Sequence, residues 1–151
     1  MTYAGDRVLY DADTHIMELP DFLRKFADAG IRDELPLVEY GRSIVTDEEV
    51  EVIMSQGSRH SDEHRAGLIA LGDRMITEVK EIQARGSFDK HDRVIANDML
   101  GFVKQLVFAT HSLHMVFSPS RKIEDRLRYG GARAHNRHMA DFCSVDSRLM
   151  G

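Results

Sequence analysis

The chain has 151 residues, 42% hydrophobic and 30% charged, with a formal net charge of −5, which suits one domain with a sizeable core and argues against disorder. No block of like charge points to nucleic acid or an acidic membrane, no apolar run approaches the roughly 20 residues that span a bilayer, and the N-terminus lacks a secretory pattern. A single cysteine, Cys143, excludes an internal disulfide framework and fits a reducing compartment, so the expected setting is the cytoplasm.

Residues 7–12, RVLYDA, are short, β-branched and aromatic, and read as a strand. Pro20 suits the first turn of a helix that carries Phe22, Leu23 and Phe26 on one face and ends at Gly30. Residues 37–40 and 43–45, separated by Gly41-Arg42, suggest a small hairpin. Thr46 with Glu49 three residues later forms a capping box. The spacing of Leu68, Leu71, Met75, Ile76, Val79 and Ile82 predicts one long helix over about 61–85, closed by Gly86. A shorter helix over 90–100 buries Val94, Ile95 and Met99 and stops at Gly101. FVKQLVFAT, residues 102–110, is the strongest strand; its second half is apolar on both faces, as in a strand covered by helices on one side and packed inward on the other. A polar stretch with Ser and Pro then leads to a last helix over about 132–143. Its apolar face is Met139, Phe142 and Cys143, backed by His135. Two core strands far apart in the chain, with helices between and after them, read as strand–helix units of a parallel α/β protein. Two strands cannot bury their own edges, so the sheet is expected to be unfinished.

The stretch DADTHIME, residues 11–18, concentrates acids and a histidine at the end of the first strand. Side chains alternate along a strand, so Asp13 and His15 share a face, and their carboxylate and imidazole can reach one divalent ion. The bland alternative is a polar pair facing solvent. The chain holds eight histidines, and the other clusters are weaker candidates. His60 and His64 sit four apart, a spacing that can hold zinc, but Arg59, Asp62, Glu63 and Arg65 around them describe a solvated face. His111 and His114 follow the second strand, in a loop that either holds substrate or merely exposes two histidines. His135 and His138 read as packing and surface residues, and Cys143 as a core thiol. There is no glycine-rich phosphate loop, no Gly-x-Ser-x-Gly turn and no paired-cysteine zinc pattern.

VLYDADTHIMELPDFL resembles the opening of the amidohydrolase-related, metal-dependent hydrolases of the aminocarboxymuconate-semialdehyde decarboxylase type, which start with an Asp-x-Asp/His-x-His strand and a Glu-Pro-like turn. FDKHDRVIANDMLGFVKQLVFAT resembles the next barrel helix and strand of that family. ARAHNRHMADFCSVDSRLMG resembles its following helix and the Asp-x-Arg-Leu that introduces a third strand. The resemblance implies a TIM (β/α)8 barrel, an α/β fold of which residues 1–151 are the incomplete N-terminal portion, truncated after about two strands. The stretch of about 30–86 would be a helical insertion, and a complete barrel takes about 250 residues. Asp13 and His15 fall on the first-strand metal ligands, although the commoner pattern has two histidines there, and Glu18 matches the acid that follows the motif. Further ligands and the general base are expected beyond residue 151.

The implied cofactor is a divalent metal ion, zinc by preference. The implied activity of the parent protein is hydrolysis or non-oxidative decarboxylation of a small carboxylic or ring-containing compound, the fragment alone being inactive. Glu18, Phe108, Thr110 and His111 are the candidate substrate-binding residues. No nucleic-acid or membrane partner is expected, and the full-length protein is a candidate homo-oligomer. The competing expectation is a non-catalytic helical interaction module, with 61–85 packed on a partner and Asp13 and His15 as plain polar residues.

Overall fold

Three parallel strands, β1 (Leu9–His15), β2 (Phe102–Phe108) and β3 (Leu149–Met150), lie side by side in that order. The computed structural model describes residues 1–38, 46–55, 61–79, 81–118, 120 and 122–151. Parallel neighbours need a crossover connection, and here each crossover is helical. The helix α6 (Lys90–Leu100) leads into β2, and α8 (Asp125–Cys143) leads into β3. Shorter helices fill the rest: α1 (Phe22–Lys25), α2 (Asp47–Ser55), α3 (Asp62–Ala70), α4 (Asp73–Thr77), α5 (Ile82–Arg85) and α7 (Ser112–Val116). The protein is mixed α/β with a small parallel sheet, as its sequence suggests. No helix among the described residues is long and apolar enough to cross a membrane.

Local chemistry explains several ends. Thr46 N–H donates to the Glu49 carboxylate at 2.9 Å and Glu49 N–H to Thr46 Oγ1 at 3.2 Å, the expected capping box at the start of α2. Asp89 accepts from the amides of His91 and Asp92 and caps α6, which Gly101 ends at φ +77. Elsewhere the elements differ from expectation. The helix expected from Pro20 to Gly30 is confined to α1, and the hairpin expected over 37–45 falls largely outside the described residues. The single helix expected over 61–85 is three pieces, α3, α4 and α5. Gly72 takes φ +56 between the first two, where a side chain would be strained. Leu68, Met75 and Ile82 still share one buried cluster with Ala96, Met99 and Leu100 of α6. The last helix starts at Asp125, earlier than expected, and takes in Gly130 and Gly131 as close-contact residues. A Cβ on Gly130 would lie 2.0 Å from Ile31 Cδ1, and one on Gly131 2.7 Å from Val116 Cγ1.

The main core gathers Ile16, Phe22, Leu23, Leu35 and Val107 with Phe142 and Met139 of α8 and Leu149 of β3. Helices cover one face of the sheet, where Gln105, Val107 and Leu149 are buried. The other face is open. Tyr10, Leu106, Phe108 and Met150 stand on it, between 39% and 68% exposed.

Candidate metal centre at the end of the first strand

β1 and β2 fall out of step just before the site. Asp11 pairs with Gln105 and Thr14 with Val107, so three steps along β1 match two along β2. Such an irregularity re-aims the side chains around it. Simple alternation would group Asp11, Asp13 and His15 on one face, but the surplus residue separates them. Asp11 turns to the covered side, where its Oδ2 accepts from Gln105 Nε2 at 3.2 Å. Asp13 and His15 stay on the open side, together as expected.

His15 Nε2 and Asp13 Oδ1 are 3.2 Å apart. On the other edge of the ring, Nδ1 lies 3.3 Å from Thr110 Oγ1, which itself lies 2.7 Å from the Ile16 carbonyl oxygen. A hydroxyl has one proton, and a carbonyl only accepts, so that proton goes to Ile16. Thr110 Oγ1 can then only accept from His15. A neutral ring with its proton on Nδ1 donates to Thr110 and leaves the Nε2 lone pair facing the carboxylate, an arrangement that a cation between them completes; with its proton on Nε2 the ring donates to Asp13 instead. In a tetrahedral zinc site with bonds near 2.0–2.1 Å, two ligand atoms stand roughly 3.3 Å apart. The donor pair fits an ion of that size. Phe108 flanks it, its ring centroid 5.8 Å from that of His15.

The residues behind the pair hold it in place. Glu18 is 1% exposed, and its carboxylate accepts from the backbone amides of Thr110, His111 and Ser112 at 2.8–3.1 Å. These amides form the turn from β2 into α7, so Glu18 seats the loop that carries the Thr110 hydroxyl. Of the four candidate substrate-binding residues, Phe108 alone puts its side chain on the open face of the sheet. Glu18 is turned inward, Thr110 is engaged with His15 and Ile16, and His111 is half-buried with its amide on Glu18. Glu18 also borders a cleft of about 280 Å³ with Phe22, Lys25, Lys90 and His138, which lacks Asp13 and His15 among its walls.

Arg93 is the residue that sequence reasoning misses. The residue is 6% exposed, and its guanidinium donates from Nε to Gly86 O at 2.6 Å, from Nη1 to Thr14 Oγ1 at 2.9 Å and from Nη2 to His15 O at 2.7 Å. Burial lowers its pKa to about 10, opposed by the Asp11 carboxylate, so it is still charged at neutral pH. The available signal is spacing. Arg93 shares the buried side of α6 with Ala96, Asn97 and Leu100 at helical intervals.

The rival clusters stay apart from this site. His64 Nε2 lies 2.6 Å from Glu81 Oε2 in a half-buried pair, and His60 lies outside the described residues. His114 is exposed on α7. His138 stacks on Phe22 with centroids 3.8 Å apart and its Nδ1 lies 3.1 Å from Phe22 O; burial holds its pKa below the usual histidine value. Cys143 is half-buried against the core, at its margin and not inside it, and burial pushes its thiol up. Among the described residues no group of three or more His, Cys, Asp or Glu is placed to hold a metal ion, so Asp13 and His15 stand as a two-donor pair. Comparison of the chain with family models, curated proteins and solved structures gives no match.

Proposed function

We propose that this chain is the N-terminal part of a metal-dependent hydrolase or non-oxidative decarboxylase on a (β/α)8 barrel, with Asp13 and His15 as two ligands of a divalent ion, zinc by preference. One observation carries the reading: an imidazole seated beside Thr110 brings its Nε2 within 3.2 Å of a carboxylate oxygen, at the C-terminal end of a parallel strand. That end is where barrel enzymes place their chemistry. The order of elements supports the same reading, since β1, α6, β2, α8 and β3 alternate as barrel units do. An open face of Tyr10, Leu106, Phe108 and Met150 suits the inner wall of an arc that further strands complete. The resemblance of the three sequence segments to the amidohydrolase-related family points the same way.

When bound, such an ion lowers the pKa of a coordinated water toward about 7 and polarises a carbonyl or carboxylate. The chain's own residues orient and wall the site. Thr110 seats His15 at Nδ1, Glu18 seats the Thr110 loop, and Phe108 offers an apolar surface to the ring or aliphatic part of a small acid. A catalytic zinc takes three protein ligands, so on this reading a third ligand and a general base join Asp13 and His15. A carboxylate at position 13 also suits harder ions such as manganese.

Elemental analysis of the protein purified as its gene encodes it tests the proposal. The expected result is about one divalent ion per chain, lost in His15→Ala and Asp13→Ala while their melting curves stay near the wild type, since an exposed pair contributes little to stability. Full metal content in His15→Ala would overturn it.

A further inference from the structure

Arg93 is a buried cation whose hydrogen bonds go to two carbonyls and a hydroxyl, with no carboxylate among the three acceptors. Taking a guanidinium out of water is costly unless its donors are satisfied in good geometry. The acceptors belong to two separate pieces of chain. Gly86 lies in the turn between α5 and α6, while Thr14 and His15 end β1. The seat is close: a Cβ on Gly86 would lie 3.0 Å from Arg93 Cα, so a larger residue there would push the turn away. Arg85 secures the same turn through Asp92 at 2.8 Å.

We infer that Arg93 is the positioning residue for His15: its fork on the His15 carbonyl and the Thr14 hydroxyl fixes the strand end so that the ring keeps Nδ1 on Thr110 and Nε2 toward Asp13. His15 is then held twice, at its ring by the Thr110 hydroxyl and at its backbone by Arg93. A planar fork is needed to serve three acceptors in different directions, and a lysine ammonium lacks it. The inference deepens the metal-site reading, but the ring geometry that Arg93 sets exists without any ion.

The full 151-residue chain serves for the test, as wild type, Arg93→Lys and Thr14→Val. Long-range proton–nitrogen NMR at a pH where the imidazoles are neutral reads the His15 tautomer in metal-free protein, and a Co²⁺ titration followed by absorbance reads binding. Wild type is expected to hold His15 mainly in one tautomer. Arg93→Lys should remain folded, shift the ring toward a mixture of the two tautomers and weaken whatever Co²⁺ binding the wild type shows about tenfold. Thr14→Val, which removes one of the three acceptors, should move the tautomer the same way by less. A folded Arg93→Lys with the wild-type tautomer overturns the inference. If Arg93→Lys fails to fold, Thr14→Val decides: a lowered melting temperature with an unchanged tautomer overturns it, since a merely structural arginine would give that result. A tautomer that shifts in Arg93→Lys when neither protein binds Co²⁺ upholds Arg93, and the metal reading is then decided by the elemental analysis above.

Discussion

The covered and open faces of the sheet come from the same three strands and follow opposite rules. On the covered face Gln105, Val107 and Leu149 are at most 5% exposed, and Asp11 is tied to Gln105 and Thr14 to Arg93. On the open face Leu106 and Phe108 stand beside an acid and an imidazole whose side chains are 86% and 46% exposed. Packing free energy is concentrated on the helix side, where apolar area leaves water. The groups able to act on something else are on the bare side. Strand residues that face helices answer to stability, and those that face outward are free to answer to chemistry.

The largest expected effect contrasts one aromatic from each side. Phe22, 1% exposed and stacked on His138, should cost about 3–5 kcal/mol as Phe22→Ala in a urea melt. Phe108→Ala, from the open face, should cost less than about 1 kcal/mol. Similar losses for both would break the comparison, because the open face would then be packed in solution.

A middle-sized effect is expected at Glu18, which belongs to the covered interior although it adjoins the site. Hydrogen bonds to a charged group contribute about 1.5–3 kcal/mol, so Glu18→Gln, which sets an NH₂ against backbone amides, should lose roughly 2–3 kcal/mol. The same variant should free the Thr110 loop and broaden the His15 ring signals in NMR. An unchanged denaturation midpoint would remove Glu18 from the interior framework.

The smallest effect concerns the entry to β3. Asp146 accepts from Arg148 Nε at 2.9 and 3.0 Å, and these bonds hold its carboxyl below the usual 3.8 despite the opposing effect of burial. A folded-state pKa below the unfolded one stabilises above the unfolded value and loses that stabilisation as pH falls through the folded one. The wild-type melting temperature should therefore drop more steeply below pH 3.8 than that of Asp146→Asn. Parallel profiles for the two proteins would contradict it.

What the sequence makes legible is what neighbouring residues decide among themselves. The helix α6 is readable because Asp89, the apolar spacing and Gly101 are all local, and the pair Asp13 and His15 is readable from strand alternation. The break at Gly72 is not, since Leu68, Met75 and Ile82 recur at an interval that suits one helix or three short ones. The separation of Asp11 from Asp13 depends on how β1 meets β2, which no single strand encodes. Glu18 and Arg93 escape for the same reason. Their partners lie 92 and 78 residues away, as in Glu18 with Thr110 and Arg93 with His15. An acid or arginine in isolation reads as surface.

The surplus residue in β1 has a consequence for how freely the site can vary. In a regular strand, residues 11, 13 and 15 would project together, and whatever the interior required of one would constrain the setting of the others. The slack between Asp11 and Thr14 turns the two acidic side chains to opposite faces, although the Asp13 amide still donates to Asp11 Oδ1 at 3.2 Å. Asp11 reaches Gln105 inside, while the Asp13 side chain stands 86% exposed. A single short strand thus turns one acid to the interior and the next to solvent, so that a change at position 13 leaves the contact of Asp11 with Gln105 in place.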